Sequence, residues 1–464
     1  MNHTSIKLLA VLFITACLFS SCEDDPKLPD NQLQFESTVA GISSEDESLP
    51  LNITLSRAAS SDVVVTLSVN GGNLVYGTDF TTTPAATGNM ITITIPEGET
   101  TAQVTLNKVA GVGFSGDESV VFEVVSVDGS PVVGENSKIT VTFSEITVTS
   151  AAMNIRGGGP TFPNRVFIDL SANRQTAVSR TDWDFGFYTE AGQFKVILND
   201  ALSMLAKPLD KTDLTAVTSA DTVGMGATLT TDAFSVDNIW YIDAPSGDLN
   251  NLAIDDISAT ASENKVYIVN RGKDAAGNQR SWKKVRVMRN GDNYTIQYAD
   301  IAATTFQTID VTRNNAYVFN YVSVDSNATV QPEPQKGKWD IAYTAFMNQT
   351  NLGEGFIPYM FNDFIIQNRE GVETVQLLVS TAGEYADFDA SDLAGITFSA
   401  TQTTIGSTWR NGGGPSTPPS LRTDRFYLVK DVDGNIYKLK FTALTTDGER
   451  GRPAIEYALV SAGS

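Results

Sequence analysis

Trp183-Asp184-Phe185-Gly186-Phe187-Tyr188 returns as Trp339-Asp340-Ile341-Ala342-Tyr343, 156 positions further along the chain. The flanks repeat with it. Upstream, Val166-Phe167-Ile168-Asp169-Leu170-Ser171 matches Val318-Phe319-Asn320-Tyr321-Val322-Ser323. Downstream, Val266-Tyr267-Ile268-Val269 matches Phe426-Tyr427-Leu428-Val429. Each downstream run leads into a Gly-Asn turn, Gly277-Asn278 or Gly434-Asn435. An alternating strand follows, Trp282-Lys283-Lys284-Val285-Arg286-Val287 or Tyr437-Lys438-Leu439-Lys440-Phe441. Period-two alternation marks half-buried strands, and self-similarity at a fixed offset marks a duplicated unit. The expectation is two antiparallel β-rich domains in tandem, 148–300 and 301–464, because a twofold repeat is too short for a solenoid. All five Trp fall in this half. Each Trp-Asp pair reads as a strand that buries its indole and sends the carboxylate to a turn or a local hydrogen bond.

Working back toward the N-terminus, residues 32–147 alternate more strictly. Ile91-Thr92-Ile93-Thr94-Ile95 places its Thr residues on one face, and Val63-Val64-Val65-Thr66-Leu67-Ser68-Val69 is dense in β-branched residues. Four further runs complete the set: Leu51–Leu55, Ala102–Leu106, Val120–Val124 and Ile139–Phe143. Turn clusters such as Asn70-Gly71-Gly72 and Pro96-Glu97-Gly98 separate them. Short strands at this spacing, with no helical period, predict an antiparallel β-sandwich of immunoglobulin-like kind. The fold class expected for the whole chain is mainly β.

Composition narrows the chemistry. The chain has 464 residues, with 32 Lys and Arg against 54 Asp and Glu, a formal charge of −22. Such a surface repels phosphate backbones, so nucleic acid is not an expected partner. The only His is His3 and the only cysteines are Cys17 and Cys22. Beyond Cys22 there is no material for a Ser-His-Asp triad, a Cys nucleophile, a disulfide or a His-ligated metal. A non-enzyme is expected. Paired carboxylates acting on surface glycans are the weaker hydrolytic alternative: 54 acids are available, but no motif sets two of them across a groove. Gly157-Gly158-Gly159-Pro160 and Gly412-Gly413-Gly414-Pro415 lack the Lys-Ser/Thr tail of a phosphate loop and read as loops or linkers.

The first 22 residues read as an address. Lys7 precedes an apolar run from Leu8 to Phe19 that is too short to span a bilayer, and Ser20-Ser21-Cys22 follows. This resembles a bacterial lipobox, with Phe19 where Leu is usual. It implies a signal peptide over 1–21 and acylation of Cys22, each buried methylene contributing about 0.8 kcal/mol to anchoring. The acidic tether 22–31 opens with Glu23-Asp24-Asp25 after the Cys. That resembles the surface-export signal of Bacteroidota lipoproteins and implies exposure on the outer membrane.

Two family resemblances follow from quoted residues. Tyr76-Gly77-Thr78-Asp79-Phe80, Ile95-Pro96-Glu97-Gly98-Glu99 and Gly116-Asp117-Glu118-Ser119-Val120-Val121-Phe122 resemble the Calx-beta module. The resemblance implies a sandwich over 32–147 in which Glu47, Asp79, Asp117 and Glu118 are candidate Ca²⁺ ligands, oxygen donors of the kind the ion prefers. Trp339-Asp340-Ile341-Ala342-Tyr343, Arg422–Lys430, Asp433–Phe441 and the closing Gly448-Glu449-Arg450-Gly451-Arg452-Pro453 resemble the HmuY haemophore-like family. The first copy is similar through Asp182-Trp183-Asp184 and Phe194–Asn199. That resemblance implies two tandem HmuY-like units that capture haem or a related porphyrin at the cell surface and hand it to an outer-membrane transporter.

Because the family's His ligands have no counterpart after His3, the candidate haem ligands are Met347, Tyr359 and Met360. Thioether and phenolate are both axial ligand types. Met204 and Met225 hold a loosely comparable place in the first copy. Methionines that merely fill core gaps are the bland counterpart of this reading, and a surface interaction or adhesion protein with no haem site is the alternative function.

Overall fold

The computed structural model describes residues 30–463 apart from 44–45, 115–117, 144–147, 415–416 and 447. The chain forms two compact units, one drawn mainly from the first 140 residues and one running from Val141 onward.

In the first unit, one sheet has the order Phe80–Thr83, Thr101–Lys108, Ser48–Leu55, Gln32–Phe35, Val132–Val133. The other places Ser119–Val127, Val63–Asn70 and Met90–Ile95 side by side. Burial follows the sequence alternation. Ile91, Ile93 and Ile95 are buried while Thr92 and Thr94 are exposed, and Val63, Val65, Leu67 and Val69 point inward from the adjoining strand. This is the expected sandwich, its core built from one face of each sheet.

The second unit departs from the tandem expectation. Strand Asn164–Asp169 pairs with Ile341–Asn351, so the four-stranded sheet Arg174–Ser179, Asn164–Asp169, Ile341–Asn351, Phe356–Gln367 takes one hairpin from each copy. Strand Phe185–Tyr188 pairs with Phe319–Ser323 in a second sheet of the same mixed origin. Apart from the two-stranded ribbon Arg410–Asn411 with Ser420–Leu421, the other described sheets of this unit are two five-stranded antiparallel sheets that borrow one strand each. Gln307–Val311 of the second copy completes the sheet of the first, and Ser150–Asn154 completes the sheet that ends in Ala454–Ser461. The two copies are therefore one interleaved domain, not two in tandem. Each hairpin leaves an unpaired edge, and the other copy's edge is what covers it.

The repeated Trp-Asp pairs make the crossing. Asp184 donates its N–H to Val322 O at 2.8 Å and accepts the Val324 N–H on Oδ2 at 2.8 Å. Asp340 does the same to the other copy, with Ile168 O at 2.7 Å and Leu170 N–H on Oδ2 at 2.8 Å. Trp183 meets Tyr321 edge-on at 4.6 Å, and Trp339 meets Phe167 at 5.0 Å. Behind them Asn199 and Asn368, both fully buried, donate their amides to the Trp183 and Trp339 carbonyls.

The first clasp is also an ion network. Arg271 grips Asp184 with two bonds, at 2.9 and 3.0 Å, and Arg280 adds a third at 2.8 Å. Both arginines reach on to Asp325 at 2.7 Å. Removing the carboxylate leaves two buried guanidinium groups with only the exposed Asp325 as carboxylate partner and leaves the Val324 N–H without its partner. Asp184→Ala should therefore cost about 3–5 kcal/mol, read as a drop in the urea unfolding midpoint of the second unit's transition. A loss below about 1 kcal/mol would show the network to be peripheral.

Candidate functional site

Met347 and Met360 stand directly opposite one another on the antiparallel strands Ile341–Asn351 and Phe356–Gln367. Directly opposed residues share a face with Cβ atoms about 4.5–5.5 Å apart, so the two thioethers rise side by side from one patch of sheet. Tyr359, one residue along, lies on the other face. It is 40% exposed and packs edge-on against Phe361 at 5.1 Å. The structure thus joins the two methionines and separates the tyrosine from them.

A β-bulge sets that pairing. Up to Thr344, which opposes Phe364, the register would bring Met347 opposite Phe361; beyond it Phe346 opposes Phe361 and the register has moved by one. The extra residue is taken up at Asn362-Asp363, where Asp363 has φ +52° and is fully buried. Tyr343 donates its hydroxyl to Asp363 Oδ1 at 2.5 Å, and Arg410 and Arg450 pair with Oδ2. A buried aspartate within an apolar strand was the one sequence signal for this device.

The methionines do not face open space. Met347 is 4% exposed and belongs to an apolar cluster with Leu205, Val266 and Ile268, from or beside the strands Leu205–Pro208 and Tyr267–Asn270 of a different sheet, and with Leu214, Val217, Leu229 and Ile242 from the segment 212–243. Met225 and Met360 pack at its margin. The covering segment consists of the short 3-10 turns Leu214–Ala216, Ser219–Thr222, Thr231–Ala233 and Val236–Tyr241 with the single-turn helix Met225–Thr228. Its turns are capped locally. Asp213, Thr218, Thr230 and Ser235 each accept a backbone N–H two residues ahead, the competition with regular structure expected of those residues.

Two small cavities lie in this part of the second unit, and one of them touches Met347. One, of about 20 Å³, is lined by Met204, Met347, Ile242, Asp243, Arg369 and Gln402. The other, of about 30 Å³, lies among Arg165, Asp200, Tyr321, Glu333, Trp339 and Arg369. Each has room for a water-sized occupant and none for a sugar or a macrocycle. The second holds a buried carboxyl that sequence reading missed. Glu333 accepts the Tyr321 hydroxyl and, on Oε1 at 3.2 Å, the Trp339 indole N–H. Burial pushes Glu333 up to about 7. Asp243, which accepts the Leu198 and Ala253 N–H groups at 2.7 and 3.0 Å, is pushed by burial up to about 6.

The calcium candidates are only partly placed. Glu47 and Asp79 flank one end of strand Thr101–Lys108, their backbone carbonyls accepting from Lys108 and Val109. Glu47 is exposed, and the Asp79 carboxylate accepts the Val75 N–H at 2.7 Å. Glu118 follows Asp117, which lies outside the described residues, as does Cys22. Among the described residues no group of three or more His, Cys, Asp or Glu could hold a metal ion, and no helix is long and apolar enough to cross a membrane. The Gly157 loop is a packing element: a Cβ there would sit 2.2 Å from Gly451 O and 2.4 Å from Tyr343 Cε1.

Both raised carboxyls bind protons more tightly in the folded chain than in the unfolded one. Their contribution to stability is complete below the ordinary carboxylate range and is lost as pH rises through about 6 to 7. The urea midpoint of the second unit should fall between pH 5 and pH 8. Glu333→Gln, which keeps the shape of the protonated acid, should flatten the upper part of that fall. A variant that tracks the parent across the whole range would remove Glu333 as its source.

Comparison with known proteins gives one family match. The family model described as HmuY protein matches residues 161–457, across both copies in a single span. No curated protein matches. Among solved structures, the apo-form Calx CBD1 domain is 15% identical over 25% of this chain and 97% of its own, with a TM-score of 0.22. The Calx CBD2 domain is 12% identical over 26% and 90%, with a TM-score of 0.21. The periplasmic chaperone SfaE is 10% identical over 32% and 82%, with a TM-score of 0.18.

Proposed function

The chain belongs to the HmuY family, and from that premise we propose that it captures haem or a related porphyrin, as a lipid-anchored protein of the outer membrane surface. Cys22 is the anchor in this reading, the first unit is a Calx-beta-like spacer, an outer-membrane transporter receives the cargo, and the protein performs no catalysis. The observation that carries the reading is the face-sharing register of Met347 and Met360. Two thioethers borne by directly opposed strand positions, Cβ atoms about 4.5–5.5 Å apart, can both reach one metal ion. Their softness suits an iron porphyrin in a chain with no His after His3. Haem is cargo in this reading: Met347 and Met360 would supply ligands to its iron, and the apolar residues around them would take the ring. In the closed arrangement Met347 is buried in one apolar cluster with Leu214, Val217, Leu229 and Ile242, so the donor set fits the ligand while the space beside it does not.

A second reading takes the filled patch at face value. A surface interaction or adhesion protein that has kept the family fold without a haem site would bury Met347 in just this way.

Titration of residues 23–464 with ferric and ferrous haem separates the two. Capture gives a saturable Soret shift. Met347→Leu and Met360→Leu should abolish the axial-ligand signature while keeping the fold, because volume-conserving swaps of this kind usually cost less than about 1.5 kcal/mol. A spectrum identical to free haem leaves the interaction reading standing.

A further inference from the structure

We infer that residues 212–243 form a hinged cover that lifts from the Met347–Met360 face and closes again on the bound macrocycle through Trp240 and Phe234. The inference rests on the capture reading and deepens it.

The first ground is how the segment is held. Among the described residues, every backbone–backbone hydrogen bond made by 212–242 stays inside the segment, from Ala216 N–H to Asp213 O through Asn238 N–H to Ser235 O. The body grips it only through side chains. Asn270 donates to Leu229 O at 2.8 Å, Lys284 to Val217 O at 2.7 Å, and Lys273 pairs with Asp232 at 2.7 Å. Backbone ties to the body stand at the two ends. Leu209 and Lys211 pair with Val266 on one side, and on the other buried Asp243 holds the Leu198 and Ala253 N–H groups. A segment with firm ends and no shared ladder between them is built to open locally before the sheets do.

The second ground is that the segment carries two sets of apolar residues and uses one. Leu214, Val217, Leu229 and Ile242 are buried in the apolar cluster that also takes in Met347, the turn Leu214–Ala216 lying against strands Lys283–Asn290 and Asn293–Asp300. Val223 at 83% exposure, Phe234 at 56% and Trp240 at 78% point to solvent. Trp240 is by far the most exposed aromatic among the described residues, and Phe234, also exposed, occupies a left-handed backbone position, φ +48°. The turns Thr231–Ala233 and Val236–Tyr241 lie against strand Phe356–Gln367, which carries Met360. A porphyrin that displaces the buried set needs apolar cover on its open side, and the second set supplies it. Lifting the segment also breaks the Lys211–Asp221 and Lys273–Asp232 pairs, which frees two ammonium groups for the ligand's carboxylates.

Hydrogen exchange on residues 23–464, with hemin as the probe, tests both grounds. Without hemin, amides of 212–243 should exchange at least tenfold faster than those of strand Ile341–Asn351, and hemin should slow them. Trp240→Ala and Phe234→Ala, both at solvent-exposed positions, should leave the fold and the ligand-free exchange unchanged while raising the hemin dissociation rate at least fivefold. A segment as protected as the strand, or variants that release hemin at the parent's rate, would overturn the inference and leave the capture reading intact. If the parent itself binds no hemin, the capture reading falls and the role given to Trp240 and Phe234 falls with it.

Discussion

Two carboxylates hold the second unit together by reaching into the other half of the chain. Asp184 and Asp340 each give one N–H to, and take one N–H from, a strand that belongs to the opposite copy. Those clasps stand where the two pairs of central strands, Asn164–Asp169 with Ile341–Asn351 and Phe185–Tyr188 with Phe319–Ser323, cross between the copies. The methionine face, the bulge that sets its register and the cover above it are all built on the sheet so formed.

The two clasps are alike in backbone and unlike in charge. Around Asp184 the chain supplies Arg271 and Arg280. Arg271 belongs to Arg271-Gly272-Lys273, three residues between strand and Gly-Asn turn that have no counterpart where Lys430 runs straight into Asp431. Around Asp340 stand Asp169, Asp431 and Asp433 instead, and burial with the Asp169 charge pushes the Asp340 carboxyl well above its usual range. One clasp is an ion network and in the other burial favours the protonated acid, although both do the same geometric task. Duplication preserved the hydrogen-bond pattern and let the electrostatics diverge.

Much of this was legible beforehand. Period-two runs marked the strands of the first unit because each has one buried face, and Ile91 to Ile95 reads the same in sequence and in burial. The repeated Trp-Asp pairs identified the duplication. Which copy pairs with which was not legible, because the edge of Asn164–Asp169 is chemically as suited to its own neighbours as to Ile341–Asn351. The opposition of Met347 and Met360 was beyond reach for a related reason. Thirteen residues apart in sequence, they meet only because Asp363 absorbs one residue in a bulge, and register is a property of two strands together. The cover was missed because its turns are capped residue by residue and carry no period to detect.

Interleaving also constrains the order in which the domain can be made. Strand Ser150–Asn154 is among the earliest of the second unit to be synthesised, and its partner Ala454–Ser461 is the last. About 300 residues must be present before that sheet can close, and contacts this distant in sequence form slowly. Until then the first copy exposes the edge that its counterpart will cover. The final strand therefore acts as a check on completeness: a chain cut short before it keeps an open sheet edge and the adhesiveness that goes with one.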